Sequence, residues 1–183
     1  MSPPLPDSSS GAASVRRRLL VVMRHGKAES FAPEDHRRRL TDRGIREVQG
    51  AGQWLAEEGL VPTHAFVSSA LRTQDTWDML VTTTGTRVDP VIDDAIYTAG
   101  PDSALDILRT APEDAEVVLY VGHNPTAASL AHLLDDGDAD PEAFRAMSAG
   151  FPTSAMAVLD VQVPWAELDA ASARLVGFYP GPG

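Results

Sequence analysis

Residues 19–29 read Leu-Leu-Val-Val-Met-Arg-His-Gly-Lys-Ala-Glu. The run Leu19 to Met23 is apolar throughout instead of alternating, the pattern of a central strand covered on both faces. It stops abruptly at Arg24, His25 and Gly26, so a charged side chain, an imidazole and a residue without a side chain sit at the carboxyl end of a buried strand. In open α/β sheets that end is where ligands bind.

The same pattern recurs downstream. Thr41 is a suitable N-cap for a helix carrying Ile45, Val48, Gly52 and Leu55 at helical spacing, with Gly59 as its stop. Ala65 to Val67 predicts a second strand, followed by Ser69 as the cap of a helix over 70–81. A short strand over 87–91 and a helix over 103–110 come next. Val117 to Val121 is again apolar and ends at Gly122, His123, Asn124 and Pro125, with a helix over 126–134 beyond. The acidic stretch Asp135 to Asp140 reads as a loop, and 155–161 with 175–178 as a closing antiparallel hairpin. Three strand, polar turn, helix units predict a three-layer α/β/α sandwich around a mostly parallel sheet. Residues 1–14, rich in Ser, Pro and Gly, read as a disordered leader, and 15–183 as one domain.

Composition narrows the function. With 15 Lys and Arg against 26 Asp and Glu, the net charge is −11, which disfavours nucleic acid as a partner and requires any anion site to be a local pocket. The absence of cysteine excludes disulfides, thiolate catalysis and thiolate metal sites. Arg16 to Arg18 before Leu19 to Met23 imitates a signal peptide, but the apolar run is too short, and no stretch is long enough to cross a bilayer. The expectation is a cytoplasmic protein with no membrane partner; its oligomeric state is not legible. Lys27 is the only lysine, a bias expected of a GC-rich bacterial genome.

The three strand ends bring together Arg24, His25 and Gly26; Ser68 and Ser69, with Arg72 in the next helical turn; and Gly122, His123 and Asn124. Two guanidiniums and two imidazoles at one edge of an acidic protein suit a phosphoryl group, whose oxygens match the guanidinium fork. A neutral imidazole held through one nitrogen is a competent nucleophile at the other, which suits His25. Gly26 lets the backbone turn beside that ring. A protonated imidazole opposite would stabilise charge in transfer, the role given to His123. Taken singly, His25 reads equally well as a structural histidine and Arg72 as a solvated helix residue. A metal role for His25 and His123 lacks a third ligand at a typical spacing.

These residues resemble the histidine phosphatase superfamily, the phosphoglycerate mutase-like proteins, and most closely its compact SixA-type branch of phosphohistidine phosphatases. The resemblance rests on Leu-Val-Val-Met-Arg-His-Gly-Lys-Ala-Glu at 20–29, Arg-Arg-Leu-Thr-Asp-Arg-Gly at 38–44, Ser-Ser-Ala-Leu-Arg-Thr at 68–73 and Val-Gly-His-Asn-Pro at 121–125. It implies a phosphoglycerate mutase-like fold and a phosphohistidine intermediate on His25, with Arg24, Arg72 and His123 around the phosphate and neither metal nor organic cofactor. Gly26 and Asn124 join the phosphate site, and the loop bearing Arg38 overhangs it. Larger members carry a glutamate general acid in an insertion that is short here; Asp93, Asp94 and Tyr97 are the polar residues nearby, and Asp94 is the candidate acid. An imidazole leaves phosphorus more easily than an alkoxide does, so the expected substrate is phosphohistidine in a protein. A small phosphorylated metabolite, a phosphomutase reaction and a non-catalytic phospho-ligand module remain the alternatives.

Overall fold

The computed structural model describes residues 17–182; the leader expected over 1–14 lies outside them. Six strands form one sheet: β1 (Arg18–Arg24), β2 (His64–Ser68), β3 (Val91–Asp93), β4 (Val117–Gly122), β5 (Met156–Val161) and β6 (Ala173–Tyr179). Their order is β3-β2-β4-β1-β5-β6, parallel from β3 to β1 and antiparallel at β5 and β6. The three strands whose ends carry the polar motifs, β2, β4 and β1, are therefore adjacent, and β4 runs in register with β1 so that Arg24 pairs with Gly122. Three sequence-distant turns meet at one edge for this reason.

Both faces of the sheet are covered. Leu19, Val21 and Met23 point into one apolar core with Val48, Ala51 and Leu55 of α1 (Asp42–Glu57) and Trp77 and Leu80 of α2 (Leu71–Thr84). Leu20 and Val22 point into the other, built with α3 (Asp94–Thr98), α4 (Pro101–Leu108), α5 (Thr126–Leu134) and α6 (Pro141–Ala149). Leu20 to Met23 have no exposed surface. At about 1.5–3 kcal/mol per fully buried aliphatic side chain, β1 is a principal contributor to stability, and it delivers Arg24 and His25 as a rigid extension. Among the described residues no helix is long and apolar enough to cross a membrane.

Thr41 caps α1 as expected, accepting from the N–H of Gly44, and Gly59 ends its turn with φ +69°. Three local readings differ. The N-cap of α2 is Ala70, not Ser69, because the Ser69 hydroxyl is within hydrogen-bond distance of the His36 ring, 2.9 Å away. The short strand falls at 91–93 rather than 87–91: Pro90 has no N–H to give a ladder, and pairing with β2 begins at Val91. Helices α3 and α6 were not expected. Asp93 and Asp140 cap them through their side chains, and Pro141 stands at the first turn of α6, where its missing N–H costs nothing.

Candidate active site

His25 follows β1 with its N–H on the Gly122 carbonyl and its own carbonyl accepting from Ser154. It is 7% exposed. Its Nδ1 lies 2.7 Å from the Gly26 carbonyl oxygen. A carbonyl only accepts, so Nδ1 carries the proton and Nε2 keeps its lone pair. Burial, opposed by that hydrogen bond and reinforced by the guanidiniums of Arg72, Arg24 and Arg38, pushes the imidazole down to about 4. It is neutral at physiological pH. Gly26 serves a different need from the turn expected of it. A Cβ there would meet Cγ2 of Val48 at 2.5 Å, so the missing side chain lets α1 pack onto the turn, while its N–H donates to the Thr76 hydroxyl.

Arg24 donates from Nη1 to the Phe151 carbonyl at 3.1 Å, and Asn124 donates to the same oxygen from Nδ2 at 2.8 Å. Arg72 is 6% exposed. Its Nη1 donates to the main-chain carbonyl of Asp35 at 2.9 Å and its Nη2 to the Asp35 carboxylate at 3.1 Å. The other carboxylate oxygen of Asp35 accepts from Arg38 at 3.0 Å, and the Tyr97 hydroxyl donates to the first at 2.7 Å. Held by Tyr97 and Arg72, Asp35 stays below the usual carboxylate range and is ionised. Buried Nε atoms of Arg24, Arg38 and Arg72 and Nδ1 of His123 have no partner among the described residues. Unmatched guanidinium donors of this kind are costly unless an acceptor completes them, and these three guanidiniums are the ones whose charge reaches His25.

His123 stands against His25, ring centroids 5.2 Å apart, and against Tyr97 at 5.6 Å. Burial, the neighbouring His25 and Arg72 push it down to about 3, so the free protein holds it neutral. The protonated imidazole expected at this position is not the resting state: two imidazoles and two guanidiniums cannot all be charged in a half-buried pocket.

The structure thus brings together Arg24, His25, Arg72, His123 and Arg38, with Gly26 and Asn124 in the framing turns. Asp94 opens α3 and is exposed, and no hydrogen bond or ion pair joins it to this cluster. Sequence reading passed over Asp35 and read His36 only as part of the basic run 36–39, a solvated face. Asp35 lies just before the basic run 36–39, and its partners Arg72 and Tyr97 are 37 and 62 residues away, beyond any local spacing rule. His36 is not part of a solvated basic face; it meets Ser69 and packs edge-on against Tyr97 at 5.0 Å.

Residues 20–96 match the histidine phosphatase superfamily (branch 1). An uncharacterised protein of Mycobacterium tuberculosis is 34% identical over 161 residues, covering 86% of this chain and 98% of that one. A structure named as a candidate phosphohistidine phosphatase SixA from Nakamurella multipartitia superposes with TM-score 0.80 at 34% identity, over 91% of this chain and 98% of that one. A second SixA structure, from Agrobacterium tumefaciens, gives 0.74 at 27% identity over 88% and 97%. The fold, the four motifs and these likenesses agree: the chain belongs to the histidine phosphatase superfamily, in its SixA-type branch.

Proposed function

We propose that this phosphatase takes the phosphoryl group of a histidine-phosphorylated protein onto Nε2 of His25 and then passes it to water. The observation that carries this reading is the 2.7 Å contact between His25 Nδ1 and the Gly26 carbonyl, which leaves Nε2 as a lone pair on a neutral ring beside guanidiniums.

In the first step the Nε2 lone pair forms a bond to phosphorus while the bond from phosphorus to the leaving nitrogen breaks. The departing imidazole keeps that electron pair and takes a proton from solvent water, which is balanced by the proton that water releases in the second step. In the second, a water oxygen bonds to phosphorus, the His25 N–P bond returns its electrons to Nε2, the water proton is released and inorganic phosphate leaves. Arg24 and Arg72 hold the equatorial oxygens, His123 supplies a further donor, and Asn124 braces the turn through Phe151, as does Arg24. Arg38 lies at the rim, within electrostatic reach of His25. SixA-named relatives favour a phosphoprotein over a metabolite as the substrate. Asp94 is the candidate acid for oxygen leaving groups; such a role would appear as a selective loss of phosphoester hydrolysis in Asp94→Asn.

The test compares wild type with His25→Ala on a histidine-phosphorylated protein and on p-nitrophenyl phosphate. Faster loss of phosphohistidine than of the ester, reduced on the order of 10³-fold or more by the substitution, supports the reading. Ester turnover that outpaces phosphohistidine, or a His25→Ala protein as active as its parent, contradicts it.

A further inference from the structure

Ser68 ends β2 and has no exposed surface. Its hydroxyl oxygen has two partners among the described residues: the N–H of Ala70 at 3.5 Å and Nε2 of His123 at 2.8 Å. The Ala70 N–H can only donate. The hydroxyl proton of Ser68 therefore has one acceptor within reach, the ring nitrogen of His123. If the proton sat on Nε2 instead, Ser68 would be left with a buried hydrogen and no acceptor, at the cost of a lost hydrogen bond.

Once Ser68 donates to Nε2, the proton of the neutral ring must be on Nδ1. That nitrogen is buried and has no partner among the described residues. We propose that Ser68 is a positioning residue that locks His123 in its Nδ1–H tautomer, so that the second imidazole offers a phosphoryl oxygen a neutral N–H donor instead of a cationic one. The inference rests on the phosphoryl reading of the pocket given above.

The two histidines then hold the same tautomer but present opposite ends. The Gly26 carbonyl takes the Nδ1 proton of His25 and frees a lone pair for attack. The Ser68 hydroxyl takes the Nε2 lone pair of His123 and frees an N–H for binding. Had His123 adopted the other tautomer, its free end would be a lone pair set against an anion. A fixed dipole needs no proton uptake when substrate arrives, which is consistent with a pocket already carrying Arg24, Arg72 and Arg38. Ser68 and His123 are 55 residues apart in sequence, and the pairing of β2 with β4 brings the ends of the two strands that carry them together.

The test reads the tautomer directly and does not depend on turnover. Long-range ¹H–¹⁵N correlation spectra of the whole protein at pH 7, with His123 assigned by loss of its signals in His123→Gln, report which nitrogen is protonated. The expected result is a protonated Nδ1 and a bare Nε2. A proton on Nε2 overturns the proposal even if the phosphatase reading stands. In Ser68→Ala the ring is expected to become a mixture of tautomers and orthovanadate to bind about tenfold more weakly, the loss of one good hydrogen bond. Ser68→Thr, which keeps the hydroxyl, is expected to restore both. A folded Ser68→Ala protein with an unchanged tautomer and unchanged vanadate affinity overturns the assignment. Inactivity of wild type on phosphorylated substrates, with the tautomer as stated, contradicts the phosphatase reading instead.

Discussion

Asp35 grips Arg72 twice, through its main-chain carbonyl at 2.9 Å and its carboxylate at 3.1 Å, although the aspartate side chain is 52% exposed and the arginine side chain 8%. An ionised carboxylate thus shares a guanidinium with the place where a phosphoryl anion would sit. Asp35→Ala removes a negative charge from the pocket mouth and is expected to tighten binding of inorganic phosphate about fivefold, on the order of 1 kcal/mol of Coulomb energy in a partly solvated site. It is also expected to lower the melting temperature, because Arg72, Arg38 and Tyr97 lose a common acceptor. Titration calorimetry with phosphate checks the first expectation; weaker binding would mean that orienting Arg72 outweighs the charge.

The two pocket histidines make stability depend on pH. Both titrate lower in the folded chain, about 4 for His25 and about 3 for His123, than an unfolded histidine does near 6.5. Between those values the unfolded chain binds more protons, so stability rises with pH. Their contribution is full above about 6.5 and is lost as pH falls through about 4 for His25 and about 3 for His123. Chemical denaturation at pH 7 and pH 5 is expected to show a lower midpoint at pH 5, with a smaller difference in the double variant His25→Ala, His123→Ala. For activity, the same depression keeps Nε2 of His25 unprotonated, so the acid limb of kcat/KM assigned to it lies near 4.

Gly44 is a helical glycine whose replacement should fail against propensity. In α1 alanine is favoured over glycine by about 1 kcal/mol. A Cβ at this position, however, would fall into the backbone carbonyl of Lys27, which has no flexible end to move aside. Overpacking against backbone costs about 1–3 kcal/mol, so Gly44→Ala is expected to destabilise on balance. Since Lys27 follows the His25-Gly26 turn, its activity should fall as well. Urea denaturation measures the first effect and steady-state kinetics the second.

How much of this could be read from sequence depended on whether the cause was local. The buried run Leu19 to Met23 and the helix Thr126 to Leu134 announce themselves through apolar pattern and length, and both appear with those limits or within a residue of them. The cluster of Arg24, His25, Arg72 and His123 was legible because strand ends in a parallel sheet converge. What escaped depended on distant pairs. Ser69 looks like a cap until His36, 33 residues earlier, meets its hydroxyl. Asp35 looks like loop until Arg72 and Tyr97 arrive. Val88 and Val91 both favour a strand, and only Pro90 between them decides that pairing starts at Val91. The start of α6 did carry a readable signal in Asp140 and Pro141, a side-chain cap followed by proline in the first turn.

The most direct test of the account is to catch the phosphoryl group in transit. Wild-type protein mixed with a histidine-phosphorylated substrate, quenched rapidly at alkaline pH and digested, is analysed by mass spectrometry for phosphorylation of the peptide that contains His25. The account predicts a phosphoryl group on His25 that appears within one turnover, decays as inorganic phosphate accumulates and is absent from His25→Ala. Steady release of phosphate with His25 never modified would contradict it, since the reaction would then pass directly to water.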